Sequence, residues 1–221
     1  TNNNDELYFV KTPNPKIFSQ DFGPLIDLFV RDSFKGTGFP VPPIQKVDIT
    51  GAVVPYEFMV SQKAKGVSLA ARLMNLELSR PLLEDLACKL INLHQLSGCR
   101  AGLIDMDCLH KNNCLVGVNR DWQDYISLNL DKHIRFCYRH GFINNKEKLK
   151  IKSILMQFLE KEQFTQISLL HGDLNNQNIF FTDDTVTAII DWEDALLGDP
   201  IFDVAMWATF NPVSYYKGVI Y

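Results

Sequence analysis

Basic residues are missing from a long part of the sequence: no lysine or arginine occurs between Glu162 and Tyr216. The whole chain has a net charge of −4 and offers no basic stripe that could follow a phosphate backbone. We therefore expect no nucleic-acid partner. The same stretch holds nine acidic residues, which are Glu162, Asp173, Asp183, Asp184, Asp191, Glu193, Asp194, Asp199 and Asp203.

Long hydrophobic runs are also missing. No segment approaches the roughly 18 uninterrupted apolar residues of a membrane span. The chain opens without the basic, apolar and small-residue order of a secretory signal. We expect no membrane partner and a cytoplasmic location.

Cysteine is sparse, with five residues scattered over the chain. An odd number without regular spacing favours reduced thiols over a disulfide framework, as in cytosolic proteins. Cys108, His110 and Cys114 lie close in sequence, but they lack the paired CxxC spacing and the fourth ligand of a structural zinc site. The 46% hydrophobic and 22% charged residues are typical of a globular protein.

The first part of the chain combines strand signals with one helix. The run from Leu7 to Lys11 predicts a strand, which two following prolines close. Apolar residues at helical spacing predict a helix from Phe22 to Phe34, and the segment from Val53 to Val60 predicts another strand. A crossover to the rest of the chain is expected between Ser61 and Gly66.

The remainder is expected to be mainly helical, with three short strands near its end. Ser79 and Pro81 predict the start of a helix, and Gly98 predicts its C-terminal cap. The other expected elements are helices Asp121–His140 and Lys146–Gln163, strands Ser168–Leu170, Asn178–Phe181 and Val186–Ile190, and a helix Asp199–Phe210. We interpret residues 1–62 as a partial N-terminal lobe and residues 63–221 as a C-terminal lobe.

The segments HGDLNNQN and IIDWE contain the most informative spacing. Asp173 precedes Asn178 by five residues, and Asp191 follows Asn178 by thirteen. Asp173 suits the acceptance of a proton from an attacking hydroxyl, while Asn178 and Asp191 offer the hard oxygen ligands that Mg²⁺ prefers. Phosphoryl transfer from a nucleotide needs this set of groups. The alternative is a β-hairpin with solvated acidic turns, which leaves the combined spacing unexplained.

The segment from Leu169 to Trp207 resembles the catalytic core of the aminoglycoside phosphotransferase and choline-kinase-like enzymes, relatives of the protein kinases. HGDLNNQN resembles their catalytic loop, and IIDWEDALLGDPIFD resembles their metal-binding aspartate and the GDPxxD element after it. The resemblance is looser from Leu7 to Leu96, through VK, GTGFPVPP and LINLHQL. It implies an α+β, bilobal protein-kinase-like fold with a small β-rich lobe and a mainly helical lobe.

The resemblance also implies roles for individual side chains. It makes Asp173 the catalytic base and makes Asn178 and Asp191 the magnesium ligands. Lys11 would bind the α- and β-phosphates of ATP (or GTP). Asp27 would be its carboxylate partner, one methylene shorter than the usual glutamate.

The resemblance implies further positions around the nucleotide base. The segment from Met59 to Gln62 would be the hinge whose backbone reads the base, and Phe180 and Ile190 would form an apolar floor beneath it. His171 would fix the catalytic loop through hydrogen bonds, and Asp203 would brace that loop.

Two parts of the family's fold are expected to lie outside this sequence. The family covers the triphosphate with a loop between two strands ahead of the lysine strand, whereas only ten residues precede Lys11. The family also has further helices after the GDPxxD element that line the acceptor pocket, and this sequence stops at Tyr221.

These observations indicate a kinase of a small hydroxylated molecule that uses ATP (or GTP) and Mg²⁺. The acidic stretch favours an electronegative cleft and a cationic acceptor such as an aminoglycoside antibiotic, although solvated acidic loops are the simpler explanation of the same residues. A metabolic kinase for choline, homoserine or a sugar is the second candidate, and a nucleotide-binding pseudokinase is the third. Choline would require an aromatic box, for which the sequence offers Trp192, Trp207, Tyr215 and Tyr216. The sequence leaves the oligomeric state open.

Overall fold

A small sheet and one helix form the N-terminal part of the protein. The computed structural model describes residues 7–12, 24–73, 78–161 and 166–211. Strands β1 (Tyr8–Lys11), β2 (Ile44–Asp48) and β3 (Phe58–Gln62) form an antiparallel sheet in the order β1-β3-β2. Helix α1 (Pro24–Ser33) lies between β1 and β2 in the chain. It buries Ile26 and Val30 in the main core.

The rest of the described chain is mainly helical and carries two further sheets. Its helices are α2 (Leu69–Leu73), α3 (Arg80–Leu93), α4 (Met106–Asn112), α5 (Trp122–Ser127), α6 (Leu130–Arg139), α7 (Asn145–Lys161) and α8 (Ile201–Phe210). Its strands are β4 (Val67–Ser68), β5 (Ala101–Ile104), β6 (Gly117–Asn119), β7 (Ser168–Leu170), β8 (Ile179–Thr182), β9 (Thr185–Ile189) and β10 (Leu196–Gly198). This mixture of a small sheet lobe and a mainly helical part agrees with the α+β fold expected from the sequence.

The two further sheets hold the ends of the segments that carry the HGD and IIDWE motifs. One sheet has the order β4-β8-β9, and the other has the order β6-β5-β10-β7. Strand β7 leads into HGD, while β8 and β9 pair with Ile179 opposite Ile189. The two motifs therefore emerge beside each other, because the strands that carry them are paired or buried in one core.

One hydrophobic core joins the small lobe to the helical part. Helix α3 packs its buried face against β9, and Val186 donates its backbone N–H to Asp85 of α3 at 2.8 Å. The fully buried members of this core include Leu93, Leu169, Leu174, Ile179, Ile189, Trp192 and Leu197. A smaller cluster surrounds Trp122. Within the described residues, no helix is both long and apolar enough to cross a membrane.

Several expected elements are found close to their expected positions. Ser79 caps α3 by accepting a hydrogen bond from the Leu82 N–H at 3.4 Å, and Pro81 lies in the first turn. Strands β7, β8 and β9 and helix α8 lie within a residue or two of the expected bounds. The start of the expected helix at Phe22 and the end of the helix expected to reach Gln163 fall outside the described residues.

The single helix expected from Asp121 to His140 is wrong. The chain breaks between α5 and α6, because Leu128 is extended and Asn129 adopts a left-handed conformation with φ of 60°. The cap expected at Gly98 is also wrong, since α3 ends at Leu93 with His94 at its cap.

The strand expected from Val53 to Val60 begins only at Phe58. The Asp48 carboxylate accepts backbone hydrogen bonds from Thr50 and Val53, both at 2.8 Å, and this folds the preceding segment into a turn. The sequence interpretation also omitted strands β2, β4, β5, β6 and β10 and helix α4, all of seven residues or fewer.

The buried and exposed faces of α3 give a test of this packing. Leu93→Ala should lower the free energy of unfolding by about 2–5 kcal/mol, since it opens a cavity at a side chain with 0% exposure. Ile91→Ala is the control on the same helix, because Ile91 is 61% exposed and its truncation should cost less than about 0.5 kcal/mol. Urea unfolding measures both values. Equal losses for the two variants would contradict the assigned face of α3.

Candidate active site

The root of the HGD loop is fixed by one buried carboxylate. Asp203, on α8, has no exposed surface, and its Oδ2 and Oδ1 accept the backbone N–H groups of His171 at 2.9 Å and Gly172 at 3.0 Å. Its Oδ2 also lies 3.0 Å from Nε2 of His94, the residue that ends α3. A buried carboxylate is stable only with such partners. Asp203 therefore braces the loop, as the sequence interpretation expected.

His171 connects the loop to the strand that precedes Asp191. Its Nε2 donates to the carbonyl oxygen of Ile190 at 2.9 Å, and its Nδ1 accepts the backbone N–H of Asp173 at 3.3 Å. This pair of bonds fits the neutral ring with its proton on Nε2. Complete burial lowers the pKa of His171, which favours the same neutral form. His171 thus connects both carboxylate-bearing segments, and both of its ring nitrogens are engaged by backbone groups.

Gly172 is required by geometry. Its φ is +83°, and a Cβ at this position would lie 1.9 Å from the backbone oxygen of Asp194. No side chain fits in that space, and L-residues rarely adopt that φ. The glycine of HGD therefore lets the loop pass directly against the turn that follows Asp191.

Asp173 and Asn178 are joined by hydrogen bonds within the loop. The Asn178 amide nitrogen donates to Oδ2 of Asp173 at 3.0 Å and to the Asp173 backbone oxygen at 2.9 Å. Asn175 donates to the same Oδ2 at 2.8 Å. Within the described part of the chain no donor is bonded to Oδ1 of Asp173, so that oxygen is the one left to accept a proton. The side-chain amide oxygen of Asn178 could therefore bind a hard cation.

The pairing of β8 with β9 brings Asn178 next to Asp191. The Ile190 N–H donates to the Asn178 backbone oxygen at 3.0 Å. Asp191 is the residue after Ile190, so the backbones of Asn178 and Asp191 are held near each other. Asp191 has φ of 70° and ψ of 65°, a left-handed conformation that turns the chain out of β9 into a short 3₁₀ turn, Trp192–Asp194. Its side chain remains 41% exposed.

Lys11 reaches from the small sheet to this turn. Its Nζ lies 2.6 Å from Oδ1 of Asp191 and 2.9 Å from Oε2 of Glu193. Burial by itself lowers the pKa of Lys11, but the hydrogen bond to Asp191 and the nearby carboxylates of Asp27 and Glu193 outweigh it, so the net shift is upward. Lys11 is therefore a firmly charged lysine that joins β1 to the segment after β9.

Asp27 lies near Lys11 without pairing with it. Among the described residues, Lys11 forms ion pairs within 4 Å with Asp191 and Glu193 only, and Oδ2 of Asp27 is buried without a hydrogen-bond partner. Burial raises the pKa of Asp27 to about 7. The charge of Lys11 acts in the opposite direction, while the charge of Asp191 raises the pKa further. The expected Lys11–Asp27 ion pair is therefore absent. The shorter side chain of aspartate is consistent with this difference.

A cavity of about 490 Å³ separates the small sheet from the turn after β9. It is lined by all six residues expected at the nucleotide, which are Lys11, Asp27, Met59, Gln62, Phe180 and Ile190, and also by Asp191 and Glu193. Cavities of about 300–1,000 Å³ hold small ligands. The structure thus gathers these residues around one space, whereas Asp173 and Asn178 lie on the loop beside it.

The interpretation of Met59–Gln62 as a base-reading hinge needs correction. This segment is strand β3, which has β1 on one side and β2 on the other. The Gln62 N–H donates to Pro43 at 2.9 Å, and the next N–H, of Lys63, donates to Leu7 at 2.8 Å. Because these backbone groups are already used, Met59 and Gln62 can contribute only side chains to the cavity. The chain leaves the sheet at Ala64, which also lines the cavity.

Sequence reasoning missed two residues of this site. Glu193 stands in IIDWE, two residues after Asp191, and this closeness was the only signal for its contact with Lys11. His94 is the C-terminal cap of α3. Its partner Asp203 lies 109 residues away in the sequence, so no local pattern indicates their contact.

The donor set suits a cation that also binds phosphate. In the described part of the chain, no cluster of three or more His, Cys, Asp or Glu side chains could hold a metal ion by itself. Asn178 and Asp191 supply one amide oxygen and one carboxylate. Magnesium usually takes one or two carboxylates plus substrate phosphates and water, so these two residues fit it.

Comparison with known proteins also indicates a phosphotransferase. The model of the phosphotransferase enzyme family matches residues 8–215. The structure of aminoglycoside phosphotransferase APH(4)-Ia is 20% identical, with a TM-score of 0.62 over 91% of this chain and 64% of that one. ADP-bound aminoglycoside phosphotransferase APH(2'')-Ib is 17% identical, with a TM-score of 0.54 over 97% and 72%. Among curated proteins, none matches the chain.

These similarities differ in what they show. At identities of 17–20%, the solved structures establish the fold alone, and the chain spans 64% of the length of the APH(4)-Ia structure. The family match extends over almost the whole sequence. The chain therefore belongs to the phosphotransferase enzyme family.

Proposed function

We propose that the protein transfers the γ-phosphate of ATP (or GTP) to a hydroxyl of a small cationic acceptor of the aminoglycoside type, and so acts in antibiotic resistance. In this proposal, residues 1–62 form the nucleotide-binding lobe and residues 63–221 form the catalytic lobe. The observation that carries the proposal is the convergence of Lys11 and Asp191 on one cavity, with Asp173 and Asn178 on the adjoining loop.

The cavity would hold the nucleotide with its phosphates toward Lys11. Lys11 is charged and part-buried, so its attraction to phosphate oxygens is weakly screened by water. Asn178 and Asp191 would hold Mg²⁺, which when bound neutralises the charge that develops on the phosphates. Phe180 and Ile190 also line this cavity, and their apolar side chains would form a floor beneath the planar base.

Asp173 would hold the acceptor hydroxyl and take its proton. Two amide donors fix Oδ2 of Asp173, and the backbone of the residue is fixed by His171. A carboxylate held in this way needs little reorganisation before the reaction, which is how positioning lowers a barrier. The acceptor oxygen would lie in line with the γ-phosphate and attack its phosphorus as the proton moves to Oδ1 of Asp173. The bond from that phosphorus to the β–γ bridging oxygen would break, and ADP (or GDP) would leave.

The charge around the loop favours a cationic acceptor. The pKa of Asp194 is raised first by burial and then by the neighbouring carboxylates of Asp173, Glu193 and Asp191, so several acidic side chains lie close together here. Positively charged amines relieve that repulsion. One solved structure of the same fold is a ternary complex of APH(4)-Ia with AMP-PNP and hygromycin B, and another is a streptomycin–ATP–APH(2'')-IIa complex.

Two of the four aromatic residues that could form a choline-binding box lie in the described part of the chain. Trp192 has no exposed surface and contacts His171, with ring centroids 4.6 Å apart and ring planes tilted by 50°. Trp207 packs against the main core. Tyr215 and Tyr216 lie outside the described residues.

Nucleotide consumption by the full-length protein tests this function. Each of ATP and GTP is incubated with Mg²⁺ and with one acceptor at a time: aminoglycosides, choline, homoserine and sugars. The proposal expects consumption that an aminoglycoside stimulates, with a product heavier by one phosphoryl group in mass spectrometry. Stimulation only by choline, homoserine or a sugar would make the protein a metabolic kinase. Tight nucleotide binding with no stimulation would make it a pseudokinase.

Asp173→Asn should abolish transfer while it leaves the affinity for Mg²⁺–nucleotide nearly unchanged. The variant keeps the shape of the side chain but cannot accept the proton, and loss of a general base costs on the order of 10²–10⁴-fold in rate. Steady-state kinetics and calorimetric titration of Mg²⁺–ATP measure the two effects. A collapse of nucleotide affinity would show that Asp173 has another role.

Asp191→Ala should weaken the binding of Mg²⁺–ATP itself, because it removes the only carboxylate assigned to the metal. We expect a loss of affinity of at least about tenfold, the value of one strong charged interaction. Titration with Mg²⁺–ATP checks this, and Asp199→Asn is a control at an acid away from the cavity. Unchanged affinity in Asp191→Ala would remove it from the ligand set.

Asp27 gives a pH test of the pocket. The pKa of Asp27 is raised to about 7 from an ordinary value of 3.8, so between these values the folded state keeps a proton that the unfolded state has lost. Stability from this group is therefore full below about pH 4 and is lost as pH rises toward 7. Asp27→Asn cannot ionise, so its stability relative to wild type should increase from pH 4 to pH 8.

Urea unfolding at several pH values measures this difference. Asp32→Asn, at an exposed position of the same helix, is the control. A constant difference between Asp27→Asn and wild type across the range would show that folding does not raise the pKa of Asp27.

A further inference from the structure

Two carboxylates contact Lys11, and the proposed reaction assigns only one of them, that of Asp191, to another partner. Its Nζ contacts Oδ1 of Asp191 and Oε2 of Glu193, at 2.6 and 2.9 Å. Asp191 is the residue assigned to Mg²⁺. A cation on Asp191 and the ammonium of Lys11 would repel each other, so metal binding would weaken the hold of Asp191 on Lys11.

The lysine cannot be left without a counter-charge. Its side chain is only 17% exposed, so an ammonium without a partner at this place would be costly. A displaced Lys11 would lose its attraction to phosphate oxygens. A carboxylate that stays on Lys11 after Asp191 turns to the metal would keep its ammonium directed at the phosphates, and Glu193 already contacts it at 2.9 Å.

We propose, on the basis of the phosphotransferase function above, that Glu193 is the positioning residue that holds Lys11 toward the phosphates when Asp191 binds the metal. Asp27, the carboxylate at the place usually taken by the lysine's partner, does not have this role. Glu193 acts through Lys11 and makes no contact with the reacting atoms.

The anchoring of the turn supports this role. Trp192, between the two carboxylates, is fully buried, contacts the His171 ring in a tilted arrangement and donates its indole N–H to the Ile189 carbonyl oxygen at 3.2 Å. The backbone that carries Glu193 is thereby fixed to the core. Asp191 can therefore change its side-chain direction while Glu193 stays in place.

Asp27 is unsuited to this role for geometric reasons. It lies on α1, which is fixed in the main core by Ile26 and Val30, and it makes no ion pair with Lys11 in the described structure. Its side chain is short, and it is 7% exposed. Burial also favours the neutral form of its carboxyl group, and a neutral group is a poor counter-charge.

A double-mutant cycle between Lys11 and Glu193 tests the proposal. Calorimetric titration with Mg²⁺–ATP is carried out on the full-length wild type, Glu193→Gln, Lys11→Met and the double variant. Glu193→Gln should raise Kd on the order of tenfold, as expected for the loss of a charged hydrogen bond. In the Lys11→Met background the same substitution should change Kd by less than about twofold, since the lysine it acts through is gone.

Two further variants sharpen the test. Asp199→Asn removes an equal charge from an acid that does not line the cavity and should leave the Kd of Mg²⁺–ATP within about twofold of wild type. Glu193→Asp keeps the charge and should recover part of the affinity lost in Glu193→Gln. The Mg²⁺ concentration for half-maximal binding should stay unchanged in Glu193→Gln.

Several results would overturn the proposal. Equal losses from Glu193→Gln in both backgrounds would show no coupling to Lys11. A shift in the Mg²⁺ requirement without coupling would make Glu193 a metal ligand. Coupling of Lys11 with Asp27→Asn in place of Glu193→Gln would return the role to Asp27.

Failure of the proposed function is distinguishable from these results. If wild type binds no Mg²⁺–ATP, the phosphotransferase function is wrong and this proposal fails with it. If wild type binds Mg²⁺–ATP and only the coupling is missing, the function stands and the role of Glu193 is wrong. The same cycle on the free energy of unfolding, without nucleotide, reports whether the Lys11–Glu193 contact exists in solution.

Discussion

The buried carboxylate of Asp203 is the constraint on which the site depends. It accepts two successive backbone N–H groups at the start of the HGD loop and contacts His94 at the end of α3. Without it, two buried donors would have no partner, at a cost of about 1–3 kcal/mol each. His171, whose backbone Asp203 holds, in turn fixes the backbone of Asp173 on one side of its ring and that of Ile190 on the other. One buried charge thus positions both functional segments.

The site also depends on the contact between the small sheet and the turn after β9. Lys11 is separated from Asp191 by 180 residues, and their contact closes the cavity on one side. The cluster of Lys11, Asp191, Glu193 and Asp27 contains one cation and three carboxyl groups. Such an excess of negative charge suits a site that takes up a divalent cation with its nucleotide.

The sequence predicted what depends on local spacing. The paired strands β8 and β9 follow from short apolar runs around a polar turn. The bracing of the HGD loop by Asp203 was implied by the family resemblance of the motif that contains it. The sequence interpretation failed where the decisive contact is distant or the element is short. The break at Asn129, the three-residue strands and the contact of Glu193 with Lys11 have no periodic pattern to indicate them. The hinge assignment failed because β2, which uses the backbone of β3, was itself not predicted.

The central claim is that Mg²⁺–nucleotide binds in the cavity between the small sheet and the turn after β9. Hydrogen exchange of the full-length protein, with and without Mg²⁺–ATP, tests this claim most directly. The account predicts slower exchange in β1, in the HGD loop and in the turn Trp192–Asp194, and a weaker effect when Mg²⁺ is withheld. Protection confined to other regions, or none at saturating nucleotide, would contradict it.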